Sequence, residues 1–141
     1  MGGSMAPDEV LRRAAEIIDR DGHNKFGSFA WPRSEDLSAE SPWIEPVEQA
    51  GRAAPVSATG AIERATWGTT MEFALSTPNF AEEYAHCLRA QNYFLRWVRR
   101  NCAIWDVSSW NDDRDTTAED VARALRQAAR DWPVWNEVAR A

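Results

Sequence analysis

Residues 8–21 read DEVLRRAAEIIDRD, and this stretch decides the fold class. Val10, Leu11, Ala14, Ile17 and Ile18 recur at helical spacing, while Arg12, Arg13, Glu16, Asp19 and Arg20 fall on the opposite face. Pro7 suits a first helical turn, Asp8 and Glu9 suit the positive end of the helix dipole, and Gly22 suits the exit. The spacing predicts an amphipathic helix whose apolar stripe needs other helices to cover it.

The same pattern continues outward. A helix is expected over 80–101, with Tyr84, Leu88, Leu95 and Val98 inward, Phe94 and Trp97 widening that face, and Asn79 and Glu82 at capping-box spacing. Thr116 with Glu119 has that spacing in its usual form. Ala118, Val121, Ala122, Leu125, Ala128, Ala129 and Trp132 then carry the stripe of a helix over 117–131. Pro133 is expected to kink the chain into a last short helix with Trp135 and Val138. Ser57 suits the N-cap of a helix reaching Trp67, with Ala58, Ala61, Ile62 and Ala65 on one face, and 69–75 reads as one more turn. Residues 102–107 are β-prone, a strand or an extended connection, and 110–115 read as a turn. The expected architecture is all-α, a compact domain of about four to six helices with little or no sheet.

Between His23 and Pro55 no period survives, and Pro32, Pro42, Pro46 and Pro55 forbid a long helix. One short helix is expected near Val47–Arg52. Phe26, Phe29, Trp31, Trp43 and Ile44 give the segment apolar surface to bury, so it reads either as an ordered wrap or as a mobile lid.

Composition narrows the function classes. A chain of 141 residues has room for one core, expected over 5–141, with Met1–Ser4 read as a cloning scar. A net charge of −6 argues against a duplex-DNA binder that works by counterion release. No apolar run approaches the roughly 18 residues of a membrane span and no charged-then-apolar leader opens the chain, so no membrane role and a cytoplasmic location are expected. Fifteen Arg against the single Lys25, with 23 Ala, point to G/C-rich codons and a high-GC bacterial source. Cys87 and Cys102 lack zinc-type spacing and read as buried thiols. Eight Trp either pack the gaps left by Ala or line a pocket or interface.

Val10-Leu11-Arg12-Arg13-Ala14, Gly27-Ser28-Phe29-Ala30, Ser57-Ala58-Thr59-Gly60-Ala61-Ile62, and Trp110-Asn111-Asp112 with Thr117-Ala118-Glu119-Asp120-Val121 fall in one order. That order resembles a small actinobacterial and phage-borne domain family of unknown function, whose members carry V-L-R-R-A, G-A-Y-A, C-A-L-G-A-L and W-N-D…T-A-E-E-V. The resemblance spans nearly the whole chain and implies a fold without implying an activity. This chain departs at Ser57 and Thr59, where the family has Cys and Leu, and at His23, where it has Trp. It is also longer between Ile62 and Trp110.

Nucleotide-binding, kinase, zinc-protease and serine-hydrolase motifs are missing from the sequence. Asp112, Asp113 and Asp115 imitate a calcium loop, but Ala118 stands where its glycine belongs and no closing Glu follows. His86 is a candidate acid–base residue, since Glu82 and Glu83 share its side of a helix and a carboxylate orients and charges an imidazole. Glu83-x-x-His86 is half of a helical di-metal signature, but the chain has only two His, so neither a metal nor any cofactor is expected. His23 opens the aromatic loop, and Asp112 follows Trp110 in the family-like turn. Arg96, Arg99 and Arg100 with Trp97 make one small basic-aromatic patch, too little to suggest nucleic acid.

Two readings follow. In the first, the chain is a small-molecule pocket protein, in its catalytic version a cofactor-free acid–base enzyme of cyclase, isomerase or lyase type acting on an apolar metabolite. His86, Glu82 and Asp112 would be catalytic, and His23, Trp31, Trp43, Trp105 and Trp110 would contact substrate. In the second, it is a non-enzymatic interaction or regulatory module with a protein partner. A homodimer is compatible with both.

Overall fold

The stripe of residues 8–21 folds as α1 (Pro7–Asp21), and its apolar side chains are the centre of the core: Val10, Leu11, Ala14 and Ala15 have no exposed surface. The computed structural model describes residues 5–32 and 44–140. After α1 come α2 (Ile44–Ala53), α3 (Ala58–Trp67), α4 (Met71–Ala74), α5 (Phe80–Cys102), α6 (Val107–Asp112) and α7 (Ala118–Arg140). The fold is all-α; Val56 makes two isolated bridges, to His23 and Phe29, and no strand forms among the described residues. No helix among them is long and apolar enough to cross a membrane.

α1 lies between α7 and α3, its most extensive neighbours. Ala14 and Ala15 on α1 and Ala122, Ala128 and Ala129 on α7 are all buried, and such small side chains let helix axes come close. Leu11, Ile18, Val121 and Leu125 fill the remaining space, each worth roughly 1.5–3 kcal/mol of burial. Arg126 of α7 pairs with Asp19 of α1 at the rim of this contact.

Local sequence accounts for most ends. Gly22 takes φ 98° as its N–H closes α1 on the Ile18 carbonyl, and Ser57 caps α3 by accepting from Gly60 N at 2.9 Å. The short helix expected near 47–52 is α2, with Pro46 tolerated in its first turn. Its last carbonyls are held from α3: Arg64, 3% exposed, donates to Gly51 O and Ala50 O, both at 3.0 Å, and to Asp21 Oδ2 at 2.8 Å. Arg20, then Arg64, beside Asp21 hold its carboxyl below the usual range against the opposing effect of burial.

Several expectations need correction. The cap of α7 lies one residue later than the Thr116–Glu119 box: Thr117 N donates to Asp120 Oδ2 and Asp120 N to Thr117 Oγ1, while Thr116 is buried and closes the preceding turn on Asp113 O. Two overlapping boxes exist in the sequence, and burial of Thr116 selects the second. Asn79 caps nothing with its side chain. The inner face of α5 is Cys87, Ala90, Tyr93, Phe94, Trp97 and Val98, whereas Leu88 is 39% exposed and Tyr84 and Leu95 are half-buried. The apolar residues of α5 spread wider than one stripe, and the small Cys87 and Ala90 turn toward the bundle while Leu88 does not. The β-prone 102–107 stretch is the end of α5, a left-handed Ala103 at φ 55° and a connection; α6 then occupies the expected 110–115 turn as far as Asp112. α7 runs through Pro133 as one helix. Tyr93 supports that turn by donating to Ala128 O at 2.6 Å, with Trp132 and Trp135 packed edge-on against its ring.

Glu63 is 5% exposed on α3, and its Oε1 accepts from Met71 N at 2.9 Å. Burial raises its carboxyl above the usual range, the Met71 N–H pulls it back, and the nearby Glu72 adds to the rise. A raised folded-state value means that the protonated carboxyl favours the fold. This contribution is complete below the unfolded carboxyl's value of roughly 4.3 and is lost as pH rises through the folded-state value. Glu63→Gln keeps an oxygen for Met71 and removes the titration. The variant is therefore expected to gain stability relative to wild type between about pH 4 and pH 8. Urea midpoints at both pH values check this; a constant difference would show that the Glu63 carboxyl titrates alike in the folded and unfolded chain.

Candidate functional site

Where the chain leaves α1 it is zipped to the approach to α3. Asn24 N donates to Val56 O at 2.8 Å, Val56 N to Gly22 O at 3.0 Å, Ala30 N to Pro55 O at 2.8 Å and Ser57 N to Ser28 O at 3.0 Å. The zip passes so close to α3 that a Cβ on Gly60 would sit 2.1 Å from Ser28 O, so only glycine fits there.

Asn111 of α6 locks this junction and is 2% exposed. Its Nδ2 donates to Asn24 O at 3.0 Å and Asp112 Oδ1 at 2.9 Å, while its Oδ1 accepts from Ala58 N at 2.9 Å. His23 Nε2 lies 2.8 Å from the same Oδ1. Both partners of Nδ2 are acceptors and Ala58 N can only donate, so the amide orientation is settled and His23 Nε2 is the protonated nitrogen. All four hydrogen-bonding positions of the carboxamide are filled. Asp112 extends the network by accepting from Phe26 N at 2.8 Å, which holds Phe26 at φ 63°, and Lys25 Nζ donates to Asp113 O at 2.6 Å.

A cavity of about 210 Å³ opens against this junction, lined by Gly27, Ser28, Ser57, Thr59, Ser108, Asn111 and Asp112. Its walls therefore come from three of the stretches that carry the family resemblance, joined by Ser108 at the start of α6. Ser57 is 8% exposed; its oxygen is engaged by Gly60 N while its hydroxyl proton has no acceptor among the described residues. Ser28 Oγ lies 3.2 and 3.3 Å from the two carboxylate oxygens of Glu72.

Of the residues singled out from sequence, the structure joins His23 and Asp112 through Asn111 and places Asp112 in the cavity wall. His86 and Glu82 stand on α5, make no hydrogen bond or ion pair with each other, and do not line this cavity. Trp110, expected at a pocket wall, is 7% exposed in the core, edge-on to Phe94 at 5.8 Å. Trp105 is 76% exposed under the Arg99 guanidinium, 4.4 Å from its ring centre. Trp31 is 66% exposed, stacked on the buried Phe29. Trp43 and residues 33–42 of the segment expected to act as lid or wrap lie outside the described residues. Trp97 cannot serve as a stacking platform beside Arg96, Arg99 and Arg100, because it is 3% exposed and donates to Asp131. Among the described residues no three His, Cys, Asp or Glu side chains come together in an arrangement that could hold a metal ion.

Sequence reasoning missed Asn111, Ser57, Thr59, Ser28 and Ser108 as site residues. The one available signal was the recurrence of three of their stretches in the family-like order.

Gly60→Ala is expected to lose about 1–3 kcal/mol, because the new methyl meets a backbone oxygen that cannot move aside. Asn111→Ala is expected to lose at least as much, since it leaves His23, Ala58 and Asn24 groups without partners. Thr59→Ala, in the cavity wall, should leave the urea midpoint near wild type. Equal losses in all three would mean that the cavity is merely part of the packing.

No curated protein and no solved structure matches the chain. A family model matches residues 4–131, nearly the whole length, so the chain belongs to the family described as Family of unknown function (DUF6197).

Proposed function

We propose that the protein binds a small hydrogen-bonding molecule in the cavity between the 23–29 loop, the N-terminus of α3 and α6, and that it does so in the cytoplasm. The observation that carries this reading is unused hydrogen-bonding capacity converging on one space. The hydroxyls of Thr59 and Ser108 make no hydrogen bond among the described residues, Ser57 retains its proton, and Asp112 uses Oδ1 alone. A volume below the roughly 300–1,000 Å³ of drug-sized sites fits a small ligand, and Thr59, Ser108 and Asp112 give it hydrogen-bonding partners in a wall that is otherwise mainly apolar.

In its catalytic form this is a cofactor-free acid–base site. Asp112 then takes the proton, because its second oxygen is free, and His23 is the titratable group behind it, with Nε2 tied to Asn111. His86 and Glu82 have no part in it.

The test is an amide-resolved NMR titration with pools of small alcohols, amines and amides. Saturable shifts are expected at Gly27, Ser28, Thr59, Ser108, Asn111 and Asp112, and should vanish in Ser108→Trp, which fills the cavity from α6. Shifts that persist in that variant, or that cluster elsewhere, would discard the reading.

The interaction-module reading keeps one specific support. Phe26, 83% exposed and held in a left-handed conformation, stands out with Trp31 and Trp105 on the surface. If these residues mediate a homodimer, sedimentation velocity should show concentration-dependent association that Phe26→Ser or Trp105→Ser abolishes.

A further inference from the structure

We infer that the ligand of this cavity is a small cation, a primary ammonium close to one or more hydroxyl groups, as in amino alcohols and amino sugars. The inference rests on the cavity being a ligand site and adds the charge and class of what enters it.

The argument begins with the wall. Among the described residues, Asp112 is its only charged side chain. Phe26 N and the Asn111 amide both donate to its Oδ1, which fixes the carboxylate and leaves Oδ2 without a partner among the described residues. A second carboxylate stands one hydrogen bond behind the wall: Glu72 faces Ser28 Oγ at 3.2 and 3.3 Å and also accepts from Thr70 Oγ1 at 3.1 Å.

The side-chain cations nearby stand outside the wall. Lys25 Nζ donates to Asp113 O at 2.6 Å and does not line the cavity. The N-terminus of α3 carries roughly half a positive charge. Two of its N–H groups are already engaged, Ala58 N by Asn111 and Gly60 N by Ser57. His23 is held behind Asn111 and is absent from the wall. An anion entering here would meet a free carboxylate oxygen, whereas an ammonium would find it as an acceptor, with neutral oxygens of Thr59 and Ser108 around it.

Those hydroxyls supply the second half of the class. Thr59 and Ser108 both donate and accept, and Ser57 has a proton to give, so a ligand hydroxyl has partners in the wall while the ammonium takes Asp112 Oδ2. A cavity of about 210 Å³ leaves little room for more than a ring or a short chain.

The experiment compares probes of one shape and different charge on the intact chain. Amide shifts at Gly27, Thr59, Ser108 and Asp112 are followed while glucosamine, glucose and glucuronate are titrated separately at neutral pH, then ethanolamine, ethylene glycol and glycolate. Glucosamine or ethanolamine should bind at least tenfold more tightly than its neutral partner, the anion of each set should bind weakest, and added salt should weaken the amine. Asp112→Asn keeps an oxygen for Phe26 N and Asn111 while removing the charge, so it should abolish the preference with little change in the urea midpoint. If a neutral or anionic probe binds at these amides as tightly as its amine, the cation assignment is overturned while the cavity remains a ligand site. If no probe of the six shifts these amides, both the assignment and the binding reading fall. The wild-type comparison decides the matter even if Asp112→Asn folds poorly.

Discussion

The carboxamide of Asn111 is the interaction on which the arrangement of this protein depends. It is buried, its two donors and two acceptor positions are all in use, and its partners come from the loop after α1, the first turn of α3, and its neighbour Asp112. A buried amide must satisfy every hydrogen-bonding group or lose its desolvation energy unrepaid, so this contact tolerates one geometry only. That geometry fixes the loop at Asn24, makes His23 Nε2 the donor to Asn111, orients the Asp112 carboxylate and forms one wall of the cavity. The close approach at Gly60 belongs to the same constraint, because the zip between 22–30 and 55–57 brings Ser28 O against α3.

Around this junction the helices are held by ordinary apolar packing. α1 is covered by α7 on one side and α3 on the other, with alanines at the contacts and leucine, isoleucine and valine between them. The surplus of Trp then has several separate causes. Trp97 and Trp110 pack on Phe94 in the core, and Trp67 stacks on Phe80 at 5.2 Å. Trp132 and Trp135 flank Tyr93, with Arg89 and Arg100 laid over their outer faces 5.4 and 5.5 Å from the ring centres. Arginine can cover a ring and stay hydrated at its head, which reconciles a Trp-rich, Arg-rich composition with a mainly charged surface. None of these rings lines the cavity beside Asn111.

The cavity draws its character from backbone-organising residues. Ser57 is a helix cap, Asn111 and Asp112 hold a loop, and Ser28 reaches Glu72. Residues recruited to satisfy backbone groups thereby also leave a few oxygens and protons unspent on the side facing the cavity. On the proposed reading the side chains that hold the backbone also serve binding, and Thr59 and Ser108, which hold no backbone group in the network, are the positions where the two can be separated.

The sequence by itself determined the helical class, most helix positions, the Ser57 cap, the Gly22 exit and the short helix in the irregular segment. All of these rest on interactions within a few residues, through the 3.6-residue period and through capping groups that act on neighbouring N–H or C=O groups. What only the tertiary structure decided were choices between locally equivalent options. Thr116 and Thr117 could each start α7, and burial of Thr116 left the cap to Thr117. The apolar residues of α5 spread wider than one stripe, and contact with the bundle selected Cys87 and Ala90 over Leu88. Trp105 and Trp110 are the same residue type five positions apart, one exposed and one in the core, because α6 turns only one of them toward Phe94. The site lay beyond local reading for the same reason. Asn111 is separated by 53 residues from Ala58 and 88 from His23, and a side chain that joins such distant segments has no period or spacing to announce it.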